Sequence, residues 1–160
     1  YSLIYKINIK IVRPFNNYGP GLDINDKRLP ADLANSIIKN KDIKIFSNGK
    51  PTRSYCYISD AVTAYLLALV YPSFEIFNVG NAQEEISVKN LTFKYVKIAR
   101  NILNYKGKIY YEKSKDPEYL TNNPNRRCPD ISKAKKKLKF NPIINLDEGI
   151  KKYLQYNSIK

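Results

Sequence analysis

Arg13-Pro14-Phe15-Asn16-Asn17-Tyr18-Gly19-Pro20-Gly21, "RPFNNYGPG", follows "KINIKIV" at Lys6–Val12. Ile7, Ile9 and Ile11 alternate with Asn8 and Lys10, which predicts a strand over Ile7–Arg13. The Pro and Gly residues that follow predict a turn at its end. An Arg, two Asn and two Gly at a strand end can position and bind as well as turn the chain, so the surrounding sequence decides the reading.

Working outward, "FEIFNVGN" at Phe74–Asn81 reads as a second buried strand, over Phe74–Val79, ending in a Gly-containing turn. The insertion between the two strands has a helical pattern from about Ala31 to Lys39, with Leu33, Ile37 and Ile38 on one side. It also has "IKIFSNGKPTRSYCYI", two β-rich runs around Asn48-Gly49, the strongest hairpin-type signal in the chain. Ser59 or Asp60 is placed to cap a helix containing Val62, Tyr65, Leu66 and Leu69.

Beyond the second strand, Ser87 caps a helix with Val88, Leu91, Tyr95, Ile98 and Ile102 on one face. "KIYYEK" reads as a short strand and "EKSKDPEYLTNNPNRRCPD" as a long polar loop. Asp130 or Ser132 opens a basic helix, and Asn145 and Glu148 have capping-box spacing before a last one. The pattern is mixed α/β without repeats.

Composition narrows the chemistry. The 160 residues carry 28 Lys+Arg against 14 Asp+Glu, a formal net charge of +14. Clustered cations would suggest a polyanion partner, but these are mostly scattered Lys among Asn, Ile and Tyr, so no nucleic acid is expected. There is no His, which removes the commonest general base and metal ligand. Cys56 and Cys128 stand alone without CxxC spacing, so neither a metal site nor a disulfide framework is expected. The longest apolar run, "AVTAYLLALVY", is too short to span a bilayer, and a cytoplasmic chain without membrane association is the expectation. Met is absent and Tyr1 is bulky, from which we expect part of a longer protein.

The Arg residues stand out because there are only six among the 28 cations, and Arg13, Arg28, Arg53, Arg126 and Arg127 fall in polar segments. Arg is favoured where a planar fork binds a carboxylate or phosphate through two hydrogen bonds. Each alone reads as a surface or structural ion pair; together they suggest an anionic ligand such as a diphosphate.

"RPFNNYGPG", "GKPTRSYCYISDA", "FNVGN" and "NRRCPDISKAKKKL" occur in that order at fitting separations. Together they resemble the C-terminal half of an extended short-chain dehydrogenase/reductase of the NAD-dependent epimerase/dehydratase family, over about Ile7 to Tyr153. "NDKR" at Asn25–Arg28 and the Arg126–Lys135 segment look most like UDP-glucuronate decarboxylases. UDP-glucose 4-epimerases and dTDP-glucose 4,6-dehydratases share most of the rest.

The resemblance implies an α/β fold that is one partial domain over 1–160, with the dinucleotide-binding half absent. The last strands of a Rossmann-like parallel sheet would lie around 7–13 and 74–79, and a small α/β substrate-binding subdomain would span 20–60 and 86–156. It implies a nucleotide-sugar ligand, a UDP-sugar above others, with NAD as cofactor and a homodimer at full length. Phe15 would flank the nicotinamide with Asn17 nearby, and Asn16 would bond the sugar or its phosphate. Arg28 would contact the nucleotide sugar or the cofactor, Ile45 and Phe46 would lie along the base, and Arg53 and Arg127 would clamp the diphosphate. Asp130 would orient Arg127 or simply cap a helix, and Arg13 would serve strand-end packing or an ion pair.

The family's Tyr–Lys pair, spaced YxxxK on the helix that precedes the first strand, and its earlier Gly-rich GxxGxxG turn are not found ahead of Ile7, so no catalytic residue is assigned. The expected role is the substrate-binding half of an enzyme working through a 4-keto sugar. A non-catalytic nucleotide-sugar-binding module is the alternative from another class.

Overall fold

The computed structural model describes residues 2–112 and 124–159. After a short helix α1 (Ser2–Tyr5), strand β1 (Lys10–Pro14) leads into β2 (Asn17–Tyr18), α2 (Leu29–Ile38), β3 (Ile43–Ile45), β4 (Thr52–Ser54), β5 (Cys56–Tyr57) and α3 (Ile58–Leu69). Then come β6 (Glu75–Val79), β7 (Glu85–Ser87), α4 (Val88–Leu103), β8 (Ile109–Tyr111), β9 (Arg126–Arg127), α5 (Ser132–Leu138) and α6 (Leu146–Ser158).

The two expected long strands pair in parallel, from Lys10↔Glu75 to Pro14↔Val79. The first begins three residues later than the alternation predicts. Its ladder can start only where β6 offers a partner, and Ile7 instead accepts a bond from Ile9 N–H at 3.0 Å, a tight local turn. Among the described residues three more pairings are parallel, β2 with β5, β3 with β8 and β4 with β9; the exception is antiparallel β4–β7. Parallel pairing needs long crossovers, which the intervening helices supply.

The hairpin expected across Asn48-Gly49 does not form. β3 and β4 pair with other strands, β3 with β8 and β4 with both β7 and β9. The connecting loop satisfies itself locally: Gly49 N–H donates to Ser47 Oγ at 3.1 Å and Lys50 N–H to Asn48 Oδ1 at 2.9 Å. Gly49, at φ +70°, also offers its carbonyl to Lys89 N–H at 3.0 Å, tying the loop to the start of α4. Side chains of Ser and Asn that bond the backbone two residues on make such a loop without strand pairing.

Helix ends show the same mixture. Ser87 caps α4 by accepting Asn90 N–H, and Asn145 caps α6 by accepting Glu148 N–H at 2.9 Å. The expected cap of α3 is a correction. Its N-cap position is Tyr57, with no side-chain cap, while Asp60 lies within the first turn and bonds elsewhere. α5 begins after Ile131, with Asp130 Oδ1 accepting Ser132 N–H at 2.8 Å.

Two apolar clusters hold these elements. One gathers Tyr18, Leu33, Leu91, Tyr95, Ile150 and Tyr153 where α2, α4 and α6 meet. The other gathers Ala61, Ala64, Phe77, Val79, Ala134 and Phe140 where α3 and α5 pack on the β1–β6 pair. α3 turns its alanines inward, and Val62, Leu66 and Leu69 remain exposed on its other side. Among the described residues no helix is long and apolar enough to cross a membrane.

Candidate functional site

The turn at Arg13–Gly21 joins the two clusters, and its residue types follow from its geometry. Phe15 N–H continues the sheet by donating to Val79 O at 2.9 Å. Asn16 then reverses the chain at φ +43°, a left-handed conformation that Asn tolerates better than most side chains. Its Nδ2 donates to Ser54 O at 2.8 Å, and its carbonyl accepts Cys56 N–H at 3.2 Å. Gly19, at φ +132°, passes so close to α3 that an added Cβ would lie 2.8 Å from Ile58 Cγ2.

Next to this turn is a cleft of about 570 Å³, walled by α2, β3 and β4 and by Arg127 of β9. It brings together Asn16, Asn17, Arg28, Ile45, Phe46, Arg53 and Arg127, residues that span most of the chain. Phe15 is the one sequence-predicted site residue that does not line it. That ring is half-buried at the end of β1, where Gly80 packs against its Cβ.

Arg53 and Arg127 are Cα partners on parallel strands. Arg53 is buried, 8% exposed, with Nη1 donating to Thr52 O at 2.7 Å. Burial first, and then the Arg127 charge, pull its guanidinium below the ordinary value. Arg126 alternates away from Arg127 and is engaged by Glu85, at 2.8 Å from Nη2 and 3.1 Å from Nε. Two residues adjacent in sequence are thus divided by strand alternation between a structural ion pair and the cleft.

Other expectations change in detail. Arg28 forms a bidentate fork with Asp26, both contacts at 3.0 Å, and this holds the Asp26 carboxyl below its usual range. No ion pair of Asp130 with Arg127 occurs among the described residues; the Asp130 carboxylate bonds Ser132 instead, which lowers its pKa. Arg13 is exposed on β1 beside Asn78, Asp130 and Lys133, and has no ion pair among the described residues.

Ile45 is 3% exposed, its side chain in the core, whereas the Phe46 ring is 38% exposed at the cleft. Ile43 N–H and Ile45 O are bonded to the β8 side, at Lys108 O and Glu112 N–H. Alternation therefore turns the Lys44 N–H and carbonyl to the opposite edge of β3. Asn17 Nδ2 donates to the Tyr65 hydroxyl, while its Oδ1 is buried without a partner among the described residues.

Sequence reading missed the wall that α2 contributes: Asp32, Asn35 and Ser36 also line the cleft. Their spacing puts them on one side of the helix, away from buried Leu33 and Ile37, and a polar helix face reads by default as solvated. Burial, with some help from Asp26, pushes the Asp32 carboxyl up.

This chain is similar in sequence to UDP-glucuronic acid decarboxylase 1 of Xenopus tropicalis, 27% identical over 152 residues, which is 94% of this chain and 33% of that protein. It therefore spans about a third of the length of that curated relative. The solved UDP-glucose 4-epimerase of Thermotoga maritima, determined with UDP-glucose, superposes at a TM-score of 0.81 with 27% identity, over 98% of this chain and 48% of the other. A UDP-glucuronic acid 4-epimerase variant from Bacillus cereus, solved with UDP-4-deoxy-4-fluoro-glucuronic acid and NAD, superposes at 0.78 with 25% identity, over 97% and 46%. The family described as NAD dependent epimerase/dehydratase matches residues 1–80. The parallel β1–β6 pair, the turn that follows it and this match agree: the chain belongs to the NAD dependent epimerase/dehydratase family.

Proposed function

We propose that this chain is the nucleotide-sugar-binding part of an NAD-dependent enzyme that works through a 4-keto sugar, and that the sugar nucleotide is UDP-glucuronate, decarboxylated in the reaction. The observation that carries the reading is the juxtaposition of Arg53 and Arg127 in one cleft. Like charges brought together, one of them buried, raise each other's energy, and an anion between them offsets both costs. A diphosphate presents oxygens to two guanidinium groups at once. The exposed Phe46 ring and the turned-out Lys44 backbone give a base one flat face and one polar edge to meet.

In this reading the β1–β6 pair belongs to the Rossmann-like sheet, and 20–60 with 86–156 form the substrate-binding subdomain. NAD, when bound, supplies hydride uptake and return at the sugar's C4. Phe15 and Asn17 are the residues here that would meet it. The orphaned, buried Asn17 Oδ1 fits that role, because a carboxamide donor would satisfy it. Decarboxylation is favoured over epimerisation by the similarity to UDP-glucuronic acid decarboxylase across nearly the whole chain. The 4-epimerases among the structural neighbours support epimerisation as the second reading.

The test is calorimetric titration of the 160-residue chain with UDP and with uridine. Arg127 is exposed, so Arg127→Ala should leave the fold intact. We expect it to weaken UDP binding at least tenfold and leave uridine unchanged. Equal UDP affinity in the variant would overturn the diphosphate reading.

A further inference from the structure

We infer that Asn35 reads the base of the nucleotide, its amide facing the imide edge of uracil; this rests on the nucleotide reading of the same cleft. Asn35 Oδ1 is shut off from solvent yet has no hydrogen-bond partner among the described residues. Native proteins rarely leave a buried side-chain acceptor unmatched, and such an atom on a residue that lines a ligand cleft points to a missing donor. Asn35 lines the cleft from α2, and α2 packs on β3, which carries Lys44 and leads into Phe46. The amide thus lies on the same side of the cleft as the flat face and polar edge offered to a base, while Arg53 and Arg127 mark the phosphate side.

Uracil carries a single donor, N3–H, between two carbonyl oxygens. A primary amide matches that edge with Oδ1 accepting N3–H and Nδ2 donating to one flanking carbonyl. The Lys44 N–H is left for the other carbonyl. Cytosine presents a different pattern there, an unprotonated N3 beside an amino donor. A carboxylate in place of the amide would accept from that amino group and repel the uracil carbonyls.

Two substitutions separate reading from mere structure. Asn35→Leu removes both hydrogen-bonding groups at similar size. Asn35→Asp keeps the shape and makes the group acceptor-only. The dissociation constants of UDP, CDP and inorganic pyrophosphate are measured by calorimetry on the 160-residue chain and both variants. We expect Asn35→Leu to weaken UDP about fivefold to tenfold with pyrophosphate unchanged. We expect Asn35→Asp to shift the UDP-to-CDP affinity ratio about tenfold toward CDP. The added charge opposes both nucleotides alike, so the ratio isolates the base. An unchanged ratio in Asn35→Asp, or a parallel loss of UDP and pyrophosphate in Asn35→Leu, overturns the role of Asn35 while leaving the nucleotide site standing. Absence of UDP binding by the unsubstituted chain overturns both.

Discussion

Asp60 and Ile144 are joined across 84 residues of sequence: the Asp60 carboxylate, Oδ2, accepts Ile144 N–H at 3.0 Å and also Ile143 N–H at 3.1 Å. The carboxylate is buried in the first turn of α3, and the segment it holds leads directly into α6. One side chain therefore ties α3, which packs on the β1–β6 pair, to α6, which packs against α2 and α4.

Removing that acceptor should be costly. Asp60→Ala leaves two backbone donors without their partner, and we expect a loss of about 2–4 kcal/mol in chemical denaturation. Asp60→Asn retains one oxygen acceptor and should lose less than half as much. Equal losses would mean that packing, not these bonds, is what Asp60 provides.

Tyr95 should respond in the opposite direction. Its ring, carried by α4, is fully buried among the tyrosines of the first cluster, and its hydroxyl has no partner among the described residues. Burial drives its pKa far up, as expected for a hydroxyl held away from water. Tyr95→Phe keeps the ring and deletes the orphaned group, so stability should rise by about 1 kcal/mol. A decrease in the thermal midpoint would show that the hydroxyl is satisfied in solution.

Glu75 makes stability depend on acid. Lys137, Lys133 and the Ile76 N–H, in that order, hold its carboxyl down at about 2, against an ordinary value near 4.5. A folded-state value below the unfolded one means the contribution is fully present above about 4.5 and is lost as pH falls toward 2. The stability difference between the wild type and Glu75→Gln should therefore be constant from neutral pH to about 5 and shrink below it. A difference that grows on acidification would contradict the Lys133 and Lys137 pairing, which lies at 2.9 Å for Lys133.

The outer face of α3 should drive association. Val62, Leu66, Leu69 and Val70 are exposed there, Leu66 at 59%, while Ile11 is exposed on the other face of the β1–β6 pair, opposite Val12 and Phe77. Exposed apolar surface of this kind mediates protein contacts or aggregation, and among the described residues β1 pairs with β6 alone, leaving its other edge open. We expect the purified chain to elute as concentration-dependent oligomers and to bind a hydrophobic dye, and Leu66→Lys with Leu69→Lys to reduce both. Monomeric elution with a sharp cooperative melt would refute this.

The sequence by itself determined the elements whose causes are local. Ile alternation marked β1, apolar spacing marked α2 and α4, and Ser87 and Asn145 marked two helix starts, because a cap or an amphipathic face acts within a few residues. The ordered motifs from Arg13 to Leu138 were enough to suggest the family. Only the tertiary structure decided which strands pair, since a strand's partner is chosen by long-range packing. Asn48-Gly49 therefore made a self-bonded loop rather than a hairpin, and Asp60 became a cross-link rather than a cap. It also decided which polar groups converge. Arg53 and Arg127 lie 74 positions apart in sequence and meet only because β4 and β9 share a register, while Asn35 enters the same cleft from a helix face that sequence pattern assigns to solvent.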